Sequence, residues 1–511
     1  MAETPPASPK PAAVRRGDVA HGAGMAALAR LGALIEVIAQ PIYTWLFGIA
    51  TYGLYIVLWS AVNMAEKIVD LSLTQALQRI VPVEGEEAAH GAVKFALLVT
   101  VIPASLIAAA VTLFSADIAQ WVSASPEDAA QLPQMIALFA WALPLWTFVE
   151  IATSAARARR AFGPEIRLRI FWEQCARLVF AIGFFFAGFA SSGLLFAHLL
   201  SLALVAILSL RLLGRYYDLG LMLRVPVPKP LRANVLISGF ALSPSAIARR
   251  ILNDLPPIIL NVMLPGTQGA TAAGLFGIAR KVASVPLIVR QAFLYVLAPL
   301  SSAQAALDRK DIAPLYAFSS RLSAALVLPL GGLLILLASD ILSLFGPGVD
   351  AALMALVILT AGRMGEAIVG PATPIVEMIG HRLLPLVNSL IGIAIWTALA
   401  LLFAPERGAA GMAIAVSIGA VAIALAAVVE LKISDDLQPF DLPFLRGLFA
   451  GVIGVALLAL AGSVLEPLGA PVRAVGLILL FAPLCWVTLR LGLDLDDRAA
   501  LGSFAKRARL V

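Results

Sequence analysis

The stretch AIARRILNDLPP, residues 246–257, places two adjacent arginines and an aspartate inside a long apolar segment. A charged side chain at the centre of a membrane-spanning helix costs at least ~2.5 kcal/mol on insertion scales, so it calls for a partner or a function. Arg250 and Asp254 are four residues apart, which predicts an ion pair on one face of a helix, and the same argument predicts local pairs of Glu173 with Arg177 and of Arg363 with Glu366. Arg249 lies about 100° away around that helix, with no acidic residue at helical spacing. We therefore regard Arg249 as the better candidate for binding an anion.

Composition places the chain in the membrane class. Only 13% of its 511 residues are charged and the mean hydropathy is +0.94, whereas soluble proteins contain about 25% charged residues. Apolar segments of about 20 residues are long enough to span a bilayer, and only helices satisfy the backbone of such segments in lipid. We predict an all-α polytopic membrane protein with about fourteen transmembrane helices, at residues 27–48, 52–77, 92–114, 134–154, 170–190, 193–213, 236–262, 272–299, 320–345, 351–379, 383–403, 409–431, 445–463 and 472–490.

The basic residues are divided unequally between the two sides of this predicted bundle. Of 37 lysines and arginines, 26 belong to the tails and even-numbered loops, and only Arg407 and Arg473 belong to the odd-numbered loops. Cytoplasmic loops carry the excess of Lys and Arg, so the asymmetry predicts that both termini are cytosolic. The net charge of +6 reflects this anchoring, and we expect no nucleic-acid partner.

A weak internal repeat indicates two lobes. The sequence ALARLGALIE runs into TYGLYIV, and about 220 residues later AIARRILNDL runs into AAGLFGIA. The repeat predicts two pseudo-symmetric six-helix lobes around a central cavity, with two further helices at the C-terminus. The predicted units are a disordered cytosolic tail at 1–24, lobes at 25–215 and 234–432, two additional helices at 445–490 and a cytosolic tail at 491–511.

Ionisable residues inside the predicted segments suggest what the cavity binds. We assign seventeen ionisable residues to the membrane interior. Three bases and five acids of this set belong to segments one to six, whereas six bases and three acids belong to segments seven to twelve. Arg280, Lys281 and Arg290 have no acidic residue at helical spacing. We interpret the excess as a cavity lined with cations on one side, although salt bridges dispersed between helices remain the alternative. Such a cavity suits an anion, and the arginine fork suits phosphate oxygens.

Three acids of the first lobe form a separate candidate site. Glu36, Glu66 and Asp70 lie on the first two segments. A buried carboxylate can carry a proton or bind Na⁺, so these residues are candidates for ion coupling, with plain helix–helix hydrogen bonding as the alternative. The two cysteines are far apart and the four histidines are scattered, so we predict no metal site and no cofactor.

Loose motifs give the chain a family resemblance. ATYGLY at 50–55 and the run from DLSL at 70–73 to ALQRIVP at 76–82 resemble the polysaccharide and lipid-linked oligosaccharide flippases of the multidrug/oligosaccharidyl-lipid/polysaccharide exporter superfamily. The second-lobe matches are AGLF at 273–276, ARK at 279–281, LAPL at 297–300 and LFG at 344–346. Two positions depart from the pattern, because Ala50-Thr51 replaces a charged pair and Ser72 replaces a glycine.

The resemblance implies a specific transport function. Members of this family move an undecaprenyl-pyrophosphate-linked oligosaccharide across the bacterial cytoplasmic membrane by alternating access. Their partners include polysaccharide polymerases and glycosyltransferases. Basic cavity residues are thought to hold the pyrophosphate, and by position the candidates here are Arg30, Arg249, Arg250, Arg280, Lys281, Arg290 and Arg363.

Two other functions compete with this one. A cation-coupled multidrug antiporter of the same fold would use the first-lobe acids as its site. A polytopic enzyme would need catalytic groups presented to one aqueous face, but the outer loops are short and the chain shows no nucleophile–base constellation. We therefore predict a transporter that is not an enzyme.

Overall fold

The computed structural model describes residues 16–287, 313–369, 371–378 and 383–501, together with 506 and 508–510. Within these residues the regular secondary structure is entirely helical, which confirms the predicted all-α class. In chain order the α-helices are α1 Arg16–Asp70, α2 Leu73–Ile80, α3 Glu86–Leu113, α4 Ser115–Ala119, α5 Pro126–Ala129, α6 Leu132–Phe139, α7 Ala142–Ala158, α8 Phe162–Glu165, α9 Glu173–Phe186, α10 Gly193–Tyr216, α11 Leu219–Arg224, α12 Lys229–Phe240, α13 Ser243–Met263, α14 Gly266–Val282, α15 Ala313–Leu336, α16 Ala338–Ser343, α17 Leu353–Ile368, α18 Ala372–Met378, α19 Leu384–Asp435, α20 Leu442–Leu465, α21 Ala470–Gly492 and α22 Leu495–Ala500.

Every predicted apolar segment overlaps at least one of these helices. In the described part of the chain nine helices are long and apolar enough to cross a membrane, or up to ten when α12 and α13 count as one bent span. The predicted number of fourteen is consistent with this architecture, because α1 and α19 each cover two predicted segments. The fifth and eighth segments overlap α9 and α14, which at 14 and 17 residues are too short to be counted as spans.

Breaks in the long helices coincide with predicted turns. α1 contains Gly48 at φ 77° and α19 contains Gly408 at φ 52°, so each continuous run is two helices joined at a kink. Glycine adopts positive φ without the steric cost of a Cβ atom. These kinks separate predicted segments one from two and eleven from twelve. Segment seven is also bent, because α12 and α13 meet at 42°.

The N-terminal boundary differs from the prediction. Helix α1 begins at Arg16, so residues 16–24 are helical, although we predicted a disordered tail as far as residue 24. The Pro- and Ala-rich composition of the tail predicts poor order. It does not show that helix α1 begins several residues before the first apolar segment. Residues 1–15 lie outside the described residues.

We call the two predicted lobes, residues 25–215 and 234–432, the first half and the second half. The two glycines of the internal repeat meet where these halves cross. Helices α1 and α14 pack together, and Gly53 lies directly against Gly274. A Cβ atom at Gly274 would lie 2.6 Å from the carbonyl oxygen of Ile49, and one at Gly53 would overlap that of Ala270. Two backbones can approach this closely only when neither carries a side chain at the contact. The repeat therefore marks a pseudo-symmetric helix crossing, which we call the glycine crossing.

The last two long helices are fastened to the second half at both ends. Helices α20 and α21 pack against α15. At one end Arg321 of α15 donates to Asp441 at 2.5 Å and to Asp497 at 2.9 Å. At the other end Arg473 donates to Asp340 at 2.8 Å. These ion pairs hold the C-terminal helices in a fixed position on the bundle.

Replacing Arg321 by alanine should loosen this attachment. Burial raises the pKa of the Asp497 carboxyl, and the hydrogen bond from Arg321 opposes that rise, so the variant leaves a buried acid without its base. We expect a loss of about 2 kcal/mol, between the ~0–1 kcal/mol of exposed pairs and the ~3–5 kcal/mol of buried ones. Thermal unfolding in detergent measures the effect. Lys432→Ala is the control, since Lys432 forms an exposed pair with Asp436, and equal melting temperatures for both variants would contradict the prediction.

Candidate functional site

A cavity of about 790 Å³ lies between the two halves of the chain. We call residues 40–177 of its lining the first wall and residues 253–363 the second wall. The lining side chains are Gln40, Tyr43, Tyr52, Tyr55, Ile56, Trp59, Ser60, Asn63, Trp146, Glu165, Arg169, Glu173, Gln174, Arg177, Asn253, Asp254, Gly277, Arg280, Lys281, Ser284, Leu287 and Arg363. The predicted central cavity between the lobes is therefore present.

Hydrogen bonds between the halves close one end of this cavity. Thr44 Oγ1 donates to the carbonyl of Phe345 at 2.7 Å, and Trp45 Nε1 donates to that of Leu344 at 2.9 Å. Nearby, the Ser123 backbone N–H donates to Asn261 Oδ1 at 3.0 Å, and Asn261 Nδ2 donates back to the Ser123 carbonyl at 2.8 Å. We call this end, which also carries the glycine crossing, the base-poor face. It belongs to the loops that contain few lysines and arginines.

The halves also touch at the opposite, base-rich face. Gly239 of α12 lies so close to the Leu71 carbonyl and the Leu73 side chain that a Cβ atom would be 2.6 Å from each. Deeper in the bundle, Arg250 Nε donates to the carbonyl of Asn63 at 3.3 Å. The cavity is therefore bounded by contacts between the halves at both of its ends.

The two walls differ in charge. The first wall carries two arginines and two glutamates, so its formal charges cancel. The second wall carries Arg280, Lys281 and Arg363 against Asp254, an excess of two positive charges. In a site with a low local dielectric such an excess attracts an anion far more strongly than it would in water. The excess of positive charge on the second wall thus matches the excess of bases that the sequence places in segments seven to twelve.

A π-helical turn at residues 166–172 positions the first arginine of the first wall. Arg169 donates to Glu150 Oε1 at 2.5 Å and to Glu165 Oε1 at 2.8 Å, and its guanidinium lies 4.7 Å from the ring centroid of Trp146. An extra residue in a helical turn redirects the side chains that follow it, which is why such turns are frequent at functional sites. Two carboxylates neutralise this arginine.

The second arginine of the first wall belongs to a buried network. Arg177 lies 3.3 Å from Glu173, one turn earlier on α9, which confirms the predicted local pair. It donates to Tyr55 Oη at 2.7 Å and also to Gln174 Oε1. His198 of α10 is fully buried beside this pair, with its Nε2 at 3.6 Å from Glu173. The network joins three helices of the first half and leaves little net charge for a ligand.

The second wall presents its cations from two helices. Arg280 donates to the carbonyl of Asn253, and its guanidinium lies 5.9 Å from the ring centroid of Phe276. Arg363 of α17 donates to Glu366 at 2.8 Å, as the spacing in sequence predicts. Lys281 follows Arg280 at the end of α14. Arg280 thus ties α14 to α13 and also adds to the positive charge of the wall.

The structure separates the predicted anion-binding residues into groups. Arg280, Lys281 and Arg363 line the central cavity. Arg249 lines a second cavity of about 410 Å³ within the second half, which shares Asn253 and Arg363 with the first. Arg250 pairs with Asp254 at 2.7 Å, as predicted, and does not belong to the central lining. Helix α1 carries Arg30, whose side chain is outside the described part of the structure, and Arg290 lies outside the described residues.

Two of the predicted ion-coupling acids, Glu66 and Asp70, are not among the lining residues of the central cavity. Asp70 accepts hydrogen bonds from the Thr74 backbone N–H at 3.1 Å, from Thr74 Oγ1 at 2.9 Å and from Lys67 at 2.8 Å, so it joins α1 to α2. Glu66 is buried, and its carboxylate is 4.0 Å from Lys67. Glu36 lies on α1, and its side chain is not among the described ones.

Nineteen of the 22 lining residues were not among the predicted site residues, and three of them show why the sequence missed them. Arg169 belongs to a basic cluster that we interpreted as a cytosolic anchor, whereas Trp59 and Trp146 lie in apolar segments among other aromatic residues. Only the packing of the helices places these three side chains at one cavity. The basic cluster around Arg169 was the available signal, because it adjoins Glu165 and Glu173, acids at helical spacing from it.

The fold defines a class of protein. Comparison with solved structures places the chain in the fold shared by flippases and multidrug transporters of the MOP superfamily, which confirms the predicted resemblance at the level of fold. The lipid II flippase MurJ in its inward closed conformation is similar with a TM-score of 0.72 at 12% identity, over 91% of this chain and 98% of that one.

Multidrug transporters of the same superfamily are also similar. The MATE transporter VcmN of Vibrio cholerae gives a TM-score of 0.59 at 14% identity, over 81% of this chain and 96% of that one. An inward-facing multidrug resistance MATE transporter gives 0.55 at 15% identity, over 84% and 94%. No protein-family model matches the sequence, and no curated protein matches it significantly. At these identities the likeness establishes a shared fold only. The substrate has to be inferred from the chemistry of the site.

Proposed function

We propose that this protein is a flippase for an undecaprenyl-pyrophosphate-linked oligosaccharide. The observation that carries the proposal is the excess of two positive charges on the second wall of the central cavity. A pyrophosphate brings two or more negative charges, and arginine and lysine together offer both forked and point contacts to its oxygens. The cavity thus supplies the counter-charge that a phosphate group needs when it leaves water.

The contacts around the cavity support transport by alternating access. In this structure the base-poor face is closed by the hydrogen bonds of Thr44, Trp45 and Ser123 and by the glycine crossing. On the proposed orientation that face is external, and both termini are cytosolic in a bacterial inner membrane. The headgroup enters the cavity from the cytosolic side, the halves rock, and the closed contacts separate to release it outside. Glycosyltransferases supply the substrate and a polysaccharide polymerase consumes it.

A cation-coupled multidrug antiporter is the second candidate. The similarity to MATE transporters favours it, and so do the aromatic side chains of the first wall, since aromatic faces attract organic cations. The charge of the second wall opposes it, because a cationic drug in the same cavity would meet a wall whose lining residues carry a net formal charge of +2. We therefore rank the flippase first.

One reconstitution separates the two candidates. The purified chain is placed in liposomes that contain a fluorescent undecaprenyl-pyrophosphate oligosaccharide, and the fraction of lipid that reaches the outer leaflet is measured by a membrane-impermeant quencher. Parallel vesicles without that lipid are loaded with a fluorescent organic cation under an imposed proton or sodium gradient. We expect lipid movement and no drug accumulation. Drug accumulation without lipid movement would reject the flippase in favour of the antiporter.

A further inference from the structure

We propose that the first wall of the central cavity is a subsite for neutral sugar, which binds the saccharide adjacent to the pyrophosphate while the second wall binds the phosphates. This inference rests on the flippase function proposed above and adds a specificity that the charge of the cavity alone does not provide. It rests on three independent features of the first wall, namely its aromatic faces, its unused hydrogen-bonding groups and its balanced charge.

Aromatic side chains form much of the first wall. Trp59 and Trp146 line the cavity, with ring centroids 5.5 Å apart in an edge-to-face arrangement, and Tyr52 and Tyr55 line it beside them. Indole and phenol rings combine a broad apolar face with a polar tip. A pyranose has the complementary surface, because its C–H groups form an apolar face and its hydroxyls surround the rim. Rings at the edge of an aqueous cavity therefore suit a sugar better than they suit a bare phosphate.

Hydrogen-bonding groups on the same wall are left without partners. Trp146 Nε1 is buried, and among the described residues no acceptor lies within hydrogen-bond distance of it. Gln40 and Asn63 line the cavity, each more than nine-tenths buried as a whole residue, and neither side-chain amide forms a hydrogen bond within the described part of the chain. A buried polar group without a partner is costly, so such groups indicate a ligand or water that satisfies them. Amides offer both donors and acceptors, as sugar hydroxyls require.

Charge and size define which part of the substrate this wall contacts. The arginines of the first wall are paired with Glu165 and Glu173, so the wall attracts neither phosphate nor cation strongly. The cavity of about 790 Å³ is within the ~300–1,000 Å³ range of sites that enclose a drug-sized ligand. That volume accommodates phosphates and the first sugars, and a longer glycan must extend beyond it. The subsite consequently contacts the sugar nearest the lipid pyrophosphate.

Binding of two lipids tests the inference. The full chain in nanodiscs is titrated with undecaprenyl pyrophosphate and with the same lipid carrying a short neutral oligosaccharide, and the ratio of the two dissociation constants is measured. For the wild type we expect the glycosylated lipid to bind at least about tenfold more tightly. Trp146→Phe keeps an aromatic ring at this position and removes the indole N–H, so it should lower the ratio of the two dissociation constants about fivefold. Asn63→Leu, which removes the amide, should lower it by a similar factor. Trp59→Leu should lower it about tenfold.

A matched control uses a tryptophan on the surface of the bundle. Trp141 precedes helix α7, which carries Trp146, but is 43% exposed and does not line the cavity, so Trp141→Phe should leave the ratio unchanged. Retained binding of the bare lipid shows that each variant is folded. If the wild type binds both lipids equally, or if the cavity variants keep the wild-type ratio, the sugar subsite is rejected while the flippase proposal stands. If the wild type binds neither lipid, the flippase proposal itself is rejected.

Discussion

Replacing Gly53 by alanine is expected to lower transport at least tenfold. The new Cβ atom would overlap the carbonyl oxygen of Ala270 and approach the backbone of Gly274, so the glycine crossing could not close. Overpacking costs about 1–3 kcal/mol, and a clash with backbone falls at the upper end of that range. Each ~1.4 kcal/mol is tenfold in an equilibrium. The variant should therefore shift the population towards a state in which the base-poor face is open.

Two measurements check this expectation. Lipid movement in liposomes gives the loss of transport. A single cysteine at Asn63, in a background without Cys175 and Cys485, reports access to the cavity through its reaction with an impermeant thiol reagent added on the base-poor side. We expect that reaction to become faster in Gly53→Ala. Gly183→Ala on α9 is the control, since a Cβ atom at Gly183 would meet no atom within 4 Å. Unchanged accessibility in Gly53→Ala would show that closure does not depend on the crossing.

Removing the excess charge of the second wall should have the largest effect on the proposed substrate. In Lys281→Gln/Arg363→Gln the formal charge of the lining residues of the second wall falls from +2 to zero. A hydrogen bond to a charged group contributes about 1.5–3 kcal/mol, so losing two should lower affinity for the pyrophosphate lipid at least about 100-fold. Arg280 is left in place, because its hydrogen bond to Asn253 joins two helices and its loss would confuse folding with binding.

The design of this test separates charge from packing. Lys281→Arg/Arg363→Lys keeps both charges and should retain binding within about tenfold, whereas Lys432→Gln removes an exposed lysine remote from the cavity and should change nothing. Affinity for undecaprenyl pyrophosphate in nanodiscs is the measurement. A neutralised variant that binds the lipid as tightly as the wild type would exclude the second wall as the phosphate site. A gain of cationic drug transport in the same variant would show that the wall selects by charge.

Local spacing predicted much of this structure. The apolar segments have the length of the bilayer, so their positions follow from hydropathy alone. The pairs Arg250–Asp254, Glu173–Arg177 and Arg363–Glu366 follow from helical periodicity and are confirmed at 2.7, 3.3 and 2.8 Å. Such contacts lie within one turn of one helix, where the position of one residue fixes that of the next.

Which residues line the cavity was less predictable, because this depends on how the helices are rotated about their axes and how they cross. The angle between Arg249 and Arg250 correctly placed them on different sides of α13, but the sequence could not show which side faces the central cavity. The structure places Arg249 at the second cavity, where its role in binding pyrophosphate stays a prediction. Likewise, the π-helical turn that directs Arg169 towards Trp146 has no signature in the periodicity of the sequence.

The ion pairs at both ends of α20 and α21 have a consequence for observing the transport cycle. Because Arg321 and Arg473 secure this hairpin to α15 and α16, we expect it to move together with the second half. A spectroscopic label on the exposed surface of this hairpin, for instance at Val464, would therefore report the position of the second half. Paired with a label on the first half, it would record the rocking of the two halves from outside the bundle, without placing any probe in the cavity.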